Sequence, residues 1–117
     1  MGVVYHANYL VWMEVGRVEL VRSLGVNYHD MERDHGILLS VVEAQCRYIS
    51  PAKYDQEVCV GTEIEELNAR LVQFRYLMQD AATRQTLAKG QTRHIWLNRE
   101  FRPTKLPAHY LEMLKPA

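Results

Sequence analysis

The stretch Asn8–Leu24, Asn-Tyr-Leu-Val-Trp-Met-Glu-Val-Gly-Arg-Val-Glu-Leu-Val-Arg-Ser-Leu, decides how the rest of the chain is read. Tyr9, Trp12, Met13, Gly16, Leu20, Val21 and Leu24 recur at helical spacing, so one stripe of a long helix is apolar. Glu14, Arg17 and Arg22 fall elsewhere on the wheel. Asn8 is the expected N-cap, and Gly25 suits the position just past the C-terminus. Gly16 costs a helix about 1 kcal/mol relative to Ala. A glycine on the apolar stripe therefore signals close backbone packing against another element.

Outward from this helix the pattern changes. A shorter helix is expected over Tyr28–Asp34, ending at Gly36. Beyond it the period falls from helical to two. Over Leu38–Tyr48, Val42, Ala44, Cys46 and Tyr48 share one face, and Glu43, Gln45 and Arg47 the other, which reads as a half-buried strand. Ser50-Pro51-Ala52 breaks it. Further strands are expected over Glu57–Glu65, Arg70–Gln79 and Thr86–Leu97. In the last, Ala88, Gly90 and Thr92 form a stripe of small residues, and a short helix follows over Pro107–Leu114. One long helix followed by antiparallel strands predicts an α+β fold with the helix across a curved sheet. Gly16 and the Ala88/Gly90/Thr92 stripe are the expected two sides of that contact. One helix does not cover both faces of four strands, so a homodimer or homotetramer is expected.

The chain has 117 residues, the size of one domain, and the single expected domain is 1–117. Hydrophobic residues make up 48% and charged residues 24%, a globular balance that argues against disorder. Fourteen basic residues balance fourteen acidic ones, so no charge excess draws the chain to nucleic acid or to an anionic membrane. Cys46 and Cys59 form no CxxC pair and are read as buried structural thiols in a reducing, cytoplasmic setting. No apolar run approaches the ~20 residues of a membrane span. The N-terminus lacks a basic region, so no secretory signal is expected.

Directly before the long helix stands Gly2-Val3-Val4-Tyr5-His6-Ala7-Asn8-Tyr9. It resembles the signature of the 4-hydroxybenzoyl-CoA thioesterase family, which includes the Tol–Pal-associated acyl-CoA thioesterases. Trp12, Glu14 and Arg17 match the helix of that signature, and Tyr48-x-x-Pro51-Ala52-x-x-Asp55 resembles the family's turn between two strands. The resemblance implies the hotdog fold, hydrolysis of acyl-CoA thioesters and active sites at a dimer interface. It also implies no metal, and no cofactor beyond the CoA of the substrate. Thioester hydrolysis needs a carboxylate to activate water or attack the carbonyl, and donors for the oxyanion. By resemblance, the backbone N–H of His6 is the oxyanion donor, and the His6 side chain orients water or the carbonyl. Glu14 is the candidate base within the chain; its bland alternative is a surface pair with Arg17. Gly2, Val4, Tyr5, Asn8, Tyr9, Trp12 and Asp55 are the candidate substrate-binding residues. Trp12 and Met13 at helical spacing are more often core, and for Asp55 a turn-forming role is the stronger reading. Arg70, Arg75 and Arg93 are candidates for the phosphates of CoA.

In the family the catalytic Asp stands three positions before the glycine matching Gly2, a position that falls before Met1, as does the first strand. The alternative function is a catalytically inactive hotdog module that binds acyl-CoA or acyl-carrier protein, or acts as an assembly partner. The match predicts that the 117-residue chain hydrolyses acyl-CoA poorly and that an upstream strand bearing the Asp restores turnover by roughly 10²–10⁴. A thiol-release assay on both chains checks this. Full activity in the shorter chain contradicts it.

Overall fold

A computed structural model describes residues 6–53 and 55–115, apart from the side chains of His6 and Ala7. The elements are α1 (His6–Ser23), α2 (Tyr28–His35), β1 (Leu38–Tyr48), β2 (Val58–Leu67), β3 (Leu71–Asp80), β4 (Thr86–Leu97) and α3 (Ala108–Leu114). The strands form one antiparallel sheet in the order β1-β4-β3-β2, and α1 lies across its inner face. The α+β expectation holds, with β1 and the final strand bounded as the alternation predicts.

Strand alternation places the core. Val72, Phe74, Tyr76 and Met78 of β3 all face inward and are at most 1% exposed. Ala88, Thr92, His94 and Trp96 continue the same layer on β4. Burying a side chain such as Phe74 contributes about 1.5–3 kcal/mol, so these two central strands carry much of the stabilisation.

The helix reaches this layer because two glycines leave room. A Cβ on Gly90 would stand 2.5 Å from Met13 Sδ and 2.9 Å from the Gln45 carbonyl oxygen, so only hydrogen at this position admits the buried Met13 side chain. A Cβ on Gly16 would stand 2.5 Å from Thr62 Oγ1 and 3.1 Å from Val60 Cγ1. The expected meeting of Gly16 with the Ala88/Gly90/Thr92 stripe is thus corrected. Gly16 sits over β2, and the stripe instead receives Met13, one turn earlier on the helix.

The ends of the helices follow different rules. Asn8 is not the N-cap of α1: the helix opens two residues earlier, so Asn8 falls in its first turn. For α2 the cap is Asn27, whose Oδ1 accepts from the His29 amide at 2.8 Å and the Asp30 amide at 3.3 Å. Gly36 ends α2 with φ of 65°, a left-handed conformation that glycine adopts without steric cost, and donates to the Glu32 carbonyl at 2.9 Å.

The inner face of β1 differs from the sequence reading. A bulge at Val42 interrupts the ladder between Val41 and Glu43, so Val41 pairs with His94 and Ala44 with Thr92. Val42 therefore does not continue the Ala44/Cys46/Tyr48 stripe. These residues are also not half-buried as expected: Ala44 and Tyr48 are exposed, and Cys46 is partly covered. The cause is placement, since α1 packs over β2 and β3 and leaves the edge strand β1 uncovered. Cys59 points away from the core and is exposed, with Arg84 Nη1 3.8 Å from its sulfur, so the reading of two buried thiols holds only in part, for Cys46.

The fit at Gly16 predicts that Gly16→Leu lowers stability by about 1–3 kcal/mol through overpacking. Chemical denaturation should show a reduced midpoint. An unchanged midpoint would contradict the contact with Thr62 and Val60.

Candidate active site

The start of α1 is the natural place for an oxyanion. The first amides of a helix have no partner within it, and its dipole places partial positive charge there. Here they belong to an 18-residue helix beginning at His6. Tyr9 is buried and fixes this end: its ring meets Trp12 at 5.0 Å and Tyr48 of β1 at 4.8 Å, both edge-on. The first turns of α1 are thereby pinned to the far end of the edge strand. Leu10, Val11 and Val15 remain exposed beside them.

One turn on, Glu14 is exposed at the rim of a cavity of about 220 Å³ between α1, α2 and the start of β1. Arg17, Tyr28, Glu32 and Leu39 also line it. The expected Glu14–Arg17 surface pair does not form: among the described residues Arg17 makes no ion pair. Burial raises the pKa of the Tyr76 hydroxyl, opposed by its bond to Thr92 and by the nearby Arg17. Burial pushes the Tyr28 hydroxyl well above the usual tyrosine range, with Arg17 opposing, and that oxygen has no hydrogen-bond partner among the described residues.

The remaining candidates divide. Gly2, Val4 and Tyr5 lie outside the described residues, as does the His6 side chain. Tyr9 and Trp12 come together at the helix start, and Asn8 is exposed in the same turn. Asp55 is exposed in the turn after β1, and among the described residues no hydrogen bond or ion pair joins it to α1. Of the three arginines, Arg75 is held by Glu63 at 2.7 Å, and Arg93 lies 3.6 Å from Glu66 and 3.0 Å from Gln73 Oε1. Only Arg70, in the β2–β3 turn, is exposed without such a partner. No group of three His, Cys, Asp or Glu side chains suited to a metal occurs among the described residues.

Sequence reasoning did not single out a buried polar cluster. Tyr76 Oη lies 2.5 Å from Thr92 Oγ1, which lies 2.7 Å from His94 Nε2. All three residues are buried. The signal was present, because residues 88, 90, 92 and 94 share the inward parity of β4. Desolvation by burial, reinforced by Arg17, lowers the His94 pKa to about 4.

A single antiparallel sheet embracing one long helix is the hotdog architecture, and the comparisons agree. The chain belongs to the thioesterase superfamily, whose model matches residues 1–86. It is 41% identical over 104 residues to YneP of Bacillus subtilis, whose name assigns it provisionally as an acyl-CoA thioesterase; the match covers 88% of this chain and 74% of that protein. A hypothetical protein from Thermus thermophilus superposes with a TM-score of 0.89 at 33% identity, covering 97% of this chain and 85% of that one. The DHNA-CoA thioesterase of Staphylococcus aureus superposes with a TM-score of 0.85 at 31% identity, covering 91% and 70%.

The state of His94 has a consequence for stability. Its folded pKa of about 4 lies below the ordinary histidine value near 6.5, so between these values the unfolded chain binds more protons. The contribution is complete above pH ~6.5 and is lost as pH falls toward 4. The melting temperature should therefore drop across this window, and His94→Gln should flatten the drop. An equal slope in both proteins would contradict a buried neutral His94.

Proposed function

We propose that this chain hydrolyses acyl-CoA thioesters to the free acid and CoA, working as a homodimer. The observation that carries the reading is the start of an 18-residue helix at His6, within the segment that matches the thioesterase superfamily. The first-turn amides of α1, that of His6 among them, are the donors proposed for the oxyanion. They stabilise the negative charge that develops on the carbonyl oxygen when water adds to the thioester carbon. A carboxylate removes a proton from that water. The C–S bond then breaks, and the sulfur leaves as CoA thiolate, which takes up a proton. Glu14 is the proposed base within the described residues, being exposed at the cavity beside Arg17. Tyr9 and Trp12 are the aromatic pair proposed to lie near the acyl group, and Asn8 and Asp55 are proposed further substrate contacts; Gly2, Val4 and Tyr5, proposed likewise, lie outside the described residues. Cys46 and Cys59 are free thiols, which fits a reducing, cytoplasmic setting.

The second copy is supported by the edge strand. β1 presents unpaired backbone groups along its free side, and Val41, Val42 and Tyr48 are 44–52% exposed beside it. Leu10, Val11 and Val15 of α1 add exposed apolar surface. Antiparallel pairing of β1 with its own copy satisfies the edge and covers these side chains at once. Because Tyr48 also packs on Tyr9, the pairing brings each subunit's helix start to the interface.

Light scattering after size exclusion should give twice the 13.7 kDa chain mass at micromolar concentration. Ala44→Glu, which places a charge on the uncovered face of β1, should shift the protein toward monomer. A wild-type monomer would contradict the pairing. For the chemistry, Glu14→Gln should lower kcat/KM for acyl-CoA by about 10²-fold. An unchanged value would remove Glu14 from the reaction.

A further inference from the structure

We propose that the Asn98–Arg102 loop of each subunit holds the adenine and phosphates of the CoA that reacts at the other subunit's helix start. Its central feature is Phe101, at 73% the most exposed large hydrophobic side chain among the described residues. Phe101 also has a φ of 59°, a left-handed backbone that disfavours any residue with a Cβ. Such a conformation persists only where its surroundings impose it. Here Asn98 Oδ1 accepts from the amides of Glu100 and Arg102, both at 3.0 Å. The Asn98 carbonyl accepts from the Phe101 amide, and the Asn98 amide donates to the Arg102 carbonyl, both at 2.9 Å. Leu97 is bridged to Pro103 behind the turn. A strained and firmly tied backbone thus holds an aromatic ring out in water.

The flanking charge defines what such a ring would meet. Arg99 and Arg102 belong to the same loop, and Lys105 follows it. Arg70, in the β2–β3 turn, comes to the same end of the sheet: Leu71 pairs with Ile95, and the Leu106 amide donates to the Ala69 carbonyl at 2.7 Å. All four cations are exposed, and among the described residues none has a carboxylate partner. Arg99 is steadied by the Arg33 carbonyl at 3.2 Å, which leaves its charge unmatched. Glu100 is the one acid of the loop. An excess of cations beside an aromatic face fits phosphates joined to a flat base. The cations take the phosphates, and the ring stacks on the base.

The pairing of β1 with its own copy decides which active site the loop serves. Leu38, the first residue of β1, pairs with Leu97, so the loop emerges beside the start of β1. Tyr48, the last residue, adjoins the helix start through its contact with Tyr9. A subunit's own loop and helix start therefore lie at opposite ends of an eleven-residue strand, roughly 35 Å apart. Antiparallel pairing along the whole of β1 sets the Leu38 end of one copy beside the Tyr48 end of the other. The loop, at the end of β4, then stands two strand spacings, about 10 Å, from the end of the other copy's β1. A CoA held there, with its thioester at that copy's helix start, bridges the two subunits. This placement rests on the thioesterase reading and on the pairing above; the strain and charge of the loop do not.

Phe101→Gly tests this directly, because it removes the ring and relaxes the left-handed backbone at once. The melting temperature should hold or rise, while CoA binds about 10-fold more weakly by calorimetry. Arg102→Gln should weaken CoA to a similar degree. In turnover, both variants should raise KM for acyl-CoA with little change in kcat. Neither should affect acyl-pantetheine, which lacks the nucleotide. Wild-type CoA affinity in Phe101→Gly, or an equal loss with acyl-pantetheine, would overturn the proposal. ADP that binds as tightly as CoA would make the loop a site for free nucleotides and overturn its link to the thioester. Monomer, obtained by Ala44→Glu or by dilution, should also lose about 10-fold in CoA affinity. Full affinity in the monomer would overturn the placement across subunits. A protein that binds CoA through Phe101 yet cleaves no acyl-CoA would sink the thioesterase reading and leave the role of the loop standing.

Discussion

Everything in this molecule depends on how closely α1 approaches the sheet. The approach is set by two residues that lack a side chain. Gly90 leaves the space that Met13 Sδ fills, and Gly16 lets the helix backbone settle over Thr62 and Val60. With any larger residue at either place the helix would have to lift. Tyr9 would then lose its footing on Tyr48. Packing density in protein interiors leaves little slack for such a shift. The position of the helix start, and of the oxyanion donors proposed there, is thus a consequence of side chains that are absent.

The same placement explains why one edge is left open. A helix seated over β2 and β3 does not also cover β1, so Val41, Val42, Ala44 and Tyr48 are left exposed. In an isolated chain this would be an aggregation hazard, because an exposed apolar edge strand templates pairing. The proposed pairing with a second copy would turn the hazard into an interface adjoining the helix start. The outer face of the sheet is different in kind. Gln73, Gln91 and Arg93 bond across strands there, and Arg75 pairs with Glu63, so that face is suited to water.

Much of this was legible in the sequence, for identifiable reasons. The 3.6-residue stripe of α1 and the period-two alternation of β3 and β4 report burial directly, and both survive in the structure. Gly16 announced a close approach correctly. Its partner was misjudged because a one-dimensional pattern does not say which strand lies beneath a helix. Strict alternation puts Val42 in line with Ala44, Cys46 and Tyr48, but a bulge shifts the parity without any glycine or proline to announce it. Asn8 was read as a cap because its residue type suits one, yet the helix starts earlier. The proposed site at the helix start rests on the family resemblance, since no periodicity or spacing marks it. The polar cluster of Tyr76, Thr92 and His94 is not legible in the sequence because it joins two strands and forms only through the sheet register.

The most direct test of the central constraint is a nuclear Overhauser measurement on protein labelled at methionine and threonine methyl groups. The Met13 methyl should show a contact to the α-protons of Gly90, and the α-protons of Gly16 should show contacts to the side chains of Val60 and Thr62. Gly16 α-protons without contacts to β2, together with a Met13 methyl remote from Gly90, would contradict the seating of the helix on which the fold, the open edge and the proposed site all rest.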